Sequence, residues 1–427
     1  MNATIIFVLL LVLMLTGMPI SISLGLTVLT FLFGFTEVPL ESVALKLFTG
    51  IEKFEIMAIP FFILAGNFLT HGGVARRMIN FASSMVGHWY GGLGLAGVLG
   101  CALFAAVSGS SPATVVAIGS ILLPAMTKAG FPKSFGAGVI TTSGALGILI
   151  PPSIVMVMYS VATNTSVGAL FMAGVVPGIA LAGVLGGVTW YRAKKFNYPR
   201  LQKASWGERL KAFRASAWGL LLIVIVMGGI YSGMFTPTEA AAMSAVYAFF
   251  VAVFVYKDMR LKDVPKVLLN SANMSAMLLY IITNAVLFSF IMTNENIPQA
   301  LADWMLGNGL GMITFLLAVN VILLLAGNFM EPSSIVLIFA PILFPVAIKL
   351  GIDPVHFGII MVVNMEVGMC HPPVGLNLYV ASGITKMGIT ELTVAVWPWL
   401  LSMLAFLGVV TYWPGLSTWF PRMLGMM

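Results

Sequence analysis

The residues best suited to chemistry sit in two short clusters: Ser108-Gly109-Ser110-Ser111-Pro112-Ala113-Thr114, and Gly327-Asn328-Phe329-Met330-Glu331-Pro332-Ser333-Ser334. Each lies between two apolar runs. Proline removes a backbone donor and glycine frees the backbone, so amides and carbonyls must find new partners. At membrane depth that is tolerated only against protein or a wet cavity. Hydroxyls and freed carbonyls suit a hard cation such as Na⁺, while helix N-termini favour anions. We read both clusters as tips of paired re-entrant hairpins that hold ions and a small solute. Ser108, Ser110 and Ser111 supply the oxygens of the first tip, and Gly327, Asn328 and Glu331 form its counterpart.

Two further breaks accompany the tips, Ile150-Pro151-Pro152-Ser153 and Cys370-His371-Pro372-Pro373. Glu331 and Glu366 are the acids most deeply set in apolar sequence. A carboxylate at membrane depth is a functional hypothesis by default. Either could neutralise Na⁺, accept a proton or bond backbone amides at a helix start. Glu366 and His371 are the coupling candidates, although a histidine bonded to a loop carbonyl is the simpler role for His371. Asn67, Thr114, Thr142, Asn164, Ser334 and Asn364 are the polar groups that could face a carboxylate or hydroxyl of the solute. No lysine or arginine lies within the hairpin motifs. An anionic solute would be met by amide dipoles, hydroxyls and bound Na⁺, without a fixed guanidinium.

The elements that must position these residues are set by a membrane. The chain has 427 residues, of which 60% are hydrophobic and 8% charged, with mean hydropathy +1.04. Soluble proteins carry roughly 25% charged residues, so the solvent is a bilayer. The apolar run Ile5 to Leu15 has no basic lead-in and no small-x-small site after it, so it is expected to belong to the first span. Net charge is +7, and eight of the 21 basic residues fall between Arg192 and Arg214. The positive-inside rule makes that loop cytoplasmic, and it argues for topology and anionic lipid, with no nucleic-acid partner. Cys101 and Cys370 are isolated in apolar sequence, which points to packing and to neither a disulfide nor a transition-metal site.

An internal repeat orders the whole. Ser111 to Pro124 (SPATVVAIGSILLP) matches Glu331 to Pro345 (EPSSIVLIFAPILFP). Gly130, Pro132, Phe135-Gly136, Gly147, Pro151-Pro152 and Val161-Ala162 then recur as Gly351, Pro354, Phe357-Gly358, Gly368, Pro372-Pro373 and Val380-Ala381. The offsets stay between 219 and 222 residues. The expected fold is an all-α polytopic membrane protein with two inverted-topology repeats, each holding a re-entrant hairpin and a Pro-Pro-broken helix. The first repeat covers residues 1–191, with its hairpin around 92–129 and broken helix at 135–163. A basic linker covers 192–215. The second repeat covers 216–427, with its hairpin around 310–350 and broken helix at 357–384. Residues 3–35, punctuated by Gly17-Met18-Pro19, are either one long kinked helix or two segments. Thr36 to Glu55 and Lys257 to Lys266 read as charged arms lying along the interface.

Two such halves are the layout of a secondary transporter. No G-x-x-x-x-G-K-[ST] motif is present, so an ion gradient is left as the energy source. The pairing of S-G-S-S-P-A-T-V with G-x-L-I-P-P-S, and of N-x-x-E-P-S-S with H-P-P-V-G-x-N, resembles the large membrane subunit of tripartite ATP-independent periplasmic (TRAP) transporters, over the whole length. The resemblance implies a bacterial inner-membrane symporter for a small organic acid, such as a C4-dicarboxylate or sialic acid, coupled to two or more Na⁺. It also implies a periplasmic solute-binding protein, a small four-helix membrane subunit and elevator-type movement of a transport domain past a scaffold. Family sodium sites are built largely from backbone carbonyls at the tips and facing breaks. By position these are Ser110, Ser111, Gly144, Gly147, Gly327, Asn328, Gly368 and Met369. The runner-up is a stand-alone dicarboxylate or citrate carrier. An intramembrane enzyme is remote, because neither H-E-x-x-H nor G-x-S-x-G is present, and a passive channel is a third reading.

Overall fold

A computed structural model describes residues 2–36, 39–309, 311–372 and 375–427. Glu37 of the first arm, residue 310 at the edge of the second hairpin, and Pro373 of the second double proline lie outside the described residues. The described residues form helices and no strand. The first half holds α1 (Asn2–Leu15), α2 (Ile20–Phe35), α3 (Leu40–Thr49), α4 (Ala58–His71), α5 (Val74–Val86), α6 (Gly92–Ser108), α7 (Ser111–Lys128), α8 (Lys133–Ser143), α9 (Ile154–Thr163) and α10 (Val167–Lys195). The second half holds α11 (Trp206–Tyr231), α12 (Pro237–Phe250), α13 (Val264–Asn294), α14 (Ile297–Gly307), α15 (Met312–Gly327), α16 (Pro332–Lys349), α17 (Pro354–Cys370), α18 (Leu376–Thr385), α19 (Ile389–Tyr412) and α20 (Gly415–Met423). Eight of the helical segments are long and apolar enough to cross a membrane.

Glycine and proline cut the apolar runs where the sequence places them. Met18-Pro19 splits the N-terminal run into α1 and α2. Gly109, at φ +60°, ends α6, and Pro112 in the first turn of α7 starts the return limb. Proline is favoured there because the amide it lacks has no helical partner. After α8 a 3-10 turn, Gly144–Ile148, leads into Pro151-Pro152, and Ser153 then caps α9. The charged stretch from Lys257 makes no arm of its own. It forms a short 3-10 turn, Leu261–Asp263, that runs straight into the 31-residue α13, because Pro265 in its first turn starts a helix. The basic loop is likewise shorter than its charge pattern, since α10 continues to Lys195 and α11 starts at Trp206 behind a Ser205–Glu208 capping box.

Packing between the halves comes in exchanged pairs. α4 packs on α12 and α13 on α2, while α9 packs on α16 and α18 on α7. α8 meets α19, α17 meets α10, and α10 meets α19. Such exchange is what the two inverted repeats expected from the sequence would produce. The core is deepest around the broken helices: every residue from Val355 to Cys370 and from Phe135 to Ser143 is buried.

Candidate functional site

Both tips reach one cavity of about 420 Å³. Gly109 to Ala113 line it from the first tip and Glu331 to Ser333 from the second. Asn67 and Thr70 of α4, Met277 of α13, Ile154 of α9 and Met369 at the end of α17 complete its wall. α7 and α16 both start at this cavity. Each helix start carries about half a positive charge from its free amides. A larger cavity of about 680 Å³ lies elsewhere, between α6, α10, α11 and α20, and its lining is aliphatic and aromatic apart from Gly228 and the Tyr231 hydroxyl. The smaller one sets Asn67, Thr70, three serines and Glu331 into a mostly apolar wall, and so suits an ionic solute better.

The first tip is an oxygen cluster. Ser108 Oγ and Thr114 Oγ1 share a hydrogen bond at 2.9 Å, and Thr114 Oγ1 also donates to the Ser110 carbonyl at 2.8 Å. Asn377 of α18 donates to Ser111 Oγ at 2.7 Å and to the Thr141 carbonyl at 3.3 Å, tying the tip to both broken helices. Gly147 lies against this tip so closely that a Cβ there would sit 2.6 Å from the Ser110 carbonyl oxygen. Only glycine permits that approach, which brings the 3-10 turn onto the tip carbonyl. Hard oxygen donors so gathered fit Na⁺.

The second tip repeats the close approach. A Cβ on Gly327 would lie 2.9 Å from Gly368 Cα, and one on Gly368 would lie 2.9 Å from Gly327 Cα. His371 Nδ1 meets Asn328 Oδ1 at 2.8 Å, so the histidine reaches a tip side chain and not a loop carbonyl. Ser334 Oγ donates to Glu331 Oε1 at 3.3 Å at the start of α16.

The remaining candidates divide. Asn67 lines the cavity and donates to Ser271 Oγ of α13 at 2.8 Å, whereas Thr114 is buried within the first tip. Thr142 spends its hydroxyl on Gly138 of its own helix. Asn364 is buried in a chain from Asn364 Nδ2 to Asn320 Oδ1, 2.8 Å, and from Asn320 Nδ2 to Thr411 Oγ1, 2.9 Å, away from the cavity wall. Asn164 sits beyond the far end of α9, where Lys53 Nζ donates to its Oδ1 and to the Val161 carbonyl. Gly144 packs on Val115 of α7. Glu366 is wholly buried with neither carboxylate oxygen hydrogen-bonded. Asn377 is the main residue that the candidate set omits. The terminal position of H-P-P-V-G-x-N was its only signal.

With that geometry in view, comparison decides the family. Residues 7–416 match the family described as "Tripartite ATP-independent periplasmic transporter, DctM component". The chain belongs to that family. As a TRAP large permease it is 76% identical, over 100% of both chains, to the C4-dicarboxylate TRAP transporter large permease protein DctM of Rhodobacter capsulatus. The protein of the same name from Pseudomonas aeruginosa is 55% identical over 95% of each chain. Among solved structures, the YdaH transporter of Alcanivorax borkumensis superposes with TM-score 0.63 over 88% of this chain and 89% of that one. At 16% identity that likeness speaks for the fold alone. The relatives are named as permease subunits and not as enzymes.

Proposed function

We propose that this subunit imports a C4-dicarboxylate across the bacterial inner membrane in symport with Na⁺. The observation that carries the reading is the meeting of the two hairpin tips in one cavity. The substrate class is supported by the names of the two relatives, at 76% and 55% identity. Na⁺ would be held by Ser108, Ser110 and Ser111 with the Gly144 and Gly147 backbone at one tip. At the other it would be held by Gly327, Asn328 and Glu331 with Gly368 and Met369. The two carboxylates of the substrate would lie across the starts of α7 and α16, with Asn67, Thr114 and Ser334 beside them. Among the described residues of that cavity wall there is no lysine or arginine, which makes bound Na⁺ the natural counter-charge and couples the two binding events.

The remaining parts of the reading follow the family. A periplasmic binding protein delivers the acid, a small four-helix membrane subunit completes the scaffold, and the hairpins with their broken helices slide as a transport domain. The basic stretch between Arg192 and Arg214 faces the cytoplasm. Reconstitution into liposomes tests this. Uptake of succinate or fumarate is expected only with an inward Na⁺ gradient, the small subunit and the loaded binding protein together. Accumulation by this chain alone would favour the stand-alone carrier, and flux without a Na⁺ requirement would exclude symport.

A further inference from the structure

A second polar cavity, of about 350 Å³, lies at the opposite end of α10 from Val167. It is lined by Ser134 and Phe135 at the start of α8, Arg192 near the end of α10, Tyr198 just beyond it, and Glu391 and Trp399 of α19. The Arg192 guanidinium stacks 5.1 Å from the Trp399 ring and 5.8 Å from the Phe196 ring. Trp399 is itself fixed, because it is fully buried and its Nε1 donates to Thr189 Oγ1 at 2.9 Å. Arg192 forms none of the ion pairs among the described residues, and its Nε is buried with no hydrogen-bond acceptor. A pinned guanidinium with unspent donors is a fork for an oxyanion. Glu391 lines the same cavity, does not pair with Arg192, and therefore leaves an opposite charge for a cation.

Depth in the membrane identifies the ligand. Trp190, Tyr191 and Trp397 are exposed on the same two helices, as in the aromatic belt at headgroup level. Val394, in the cavity lining, is 72% exposed and continues the surface toward the apolar zone. A ligand with an oxyanion and an ammonium a short distance apart, at that depth, is a zwitterionic phospholipid headgroup.

We propose that this cavity binds the phosphoethanolamine headgroup of a membrane lipid, phosphate on Arg192 and Ser134, ammonium on Glu391. α8 and α10 come from the first half and α19 from the second, so a bound headgroup ties the halves together where they meet. The assignment is independent of the transported substrate and of the hairpin cavity.

The test uses the full-length protein in detergent, titrated with phosphatidylethanolamine, phosphatidylcholine, phosphatidylglycerol and inorganic phosphate, with thermal shift and native mass spectrometry as readouts. Phosphatidylethanolamine is expected to stabilise the protein and stay bound. Phosphatidylcholine, whose quaternary nitrogen cannot donate to Glu391, should bind about tenfold more weakly, the worth of one charge-assisted hydrogen bond. Arg192→Gln and Glu391→Gln should each lose the preference. Glu391 is exposed, so its variant tests the site even if Arg192→Gln fails to fold. Equal binding of phosphatidylglycerol, an equal shift with inorganic phosphate alone, or an unchanged preference in Glu391→Gln would overturn the proposal.

Discussion

At the scale of single residues, glycines let backbone approach backbone at both tips. Gly147 against Ser110, and Gly327 against Gly368, leave no room for a Cβ. Gly368→Leu is therefore expected to prise the second tip from its broken helix and abolish Na⁺-stimulated uptake. Ser110→Ala with Ser111→Ala should do the same by removing hydroxyl donors while membrane insertion stays intact. Transport measured against the amount of inserted protein checks both, and normal Na⁺-stimulated uptake in either would contradict the placement. Asn364 makes a different point, because its amide serves the buried Asn320–Thr411 chain. Asn364→Ala should cost about 1–3 kcal/mol of stability through the unpaired Asn320 oxygen, read by unfolding in detergent, with little change in substrate affinity. Sequence made the tips legible because serine, glycine and proline are conspicuous in apolar surroundings. It could not separate Asn364, Thr142 and Asn164 from the cavity residues, since a polar side chain that satisfies its own helix looks the same in sequence as one that faces a solute.

At the scale of elements, the breaks were readable and the arms less so. Gly109, Pro151-Pro152 and Pro372 all fall between helices, as the backbone requires. Lys257 to Lys266 misled because charge periodicity says nothing of where the next helix starts, and α13 begins inside that stretch. α14 (Ile297–Gly307) carries Pro298 in its first turn, where the missing amide has no helical partner. The starts of α11 and α12 are secured by capping boxes, Ser205 with Glu208 and Thr236 with Glu239. The backbone amide and hydroxyl of Ser205 hold the exposed Glu208 carboxyl below the usual range. A depressed carboxyl supports its helix above the ordinary carboxylate range, and the support fades as pH falls through the folded value. Hydrogen exchange in the first turn of α11 should thus quicken toward acid, and Glu208→Gln should bring the acid rate to neutral pH there. Unchanged rates in that variant would remove the box from the account.

At the scale of the whole molecule, two halves of similar pattern exchange contacts, so that the second segment of each broken helix, α9 or α18, lies on the hairpin of the other half. That exchange carries both tips to a single cavity, although the clusters lie some 220 residues apart in the chain, from Pro112 to Pro332. The repeat was visible in sequence, whereas the crossing of partners was not, because pattern records resemblance and not adjacency. The central claim is that the two tips close one solute cavity. It is tested most directly by placing single cysteines at Ala113 and Ser333, one on each tip. The native Cys101 and Cys370 are buried and out of reach of a water-soluble thiol reagent. Both new cysteines should be modified, and a C4-dicarboxylate with Na⁺ should protect the two together. Protection of one tip without the other, or of neither, would contradict it.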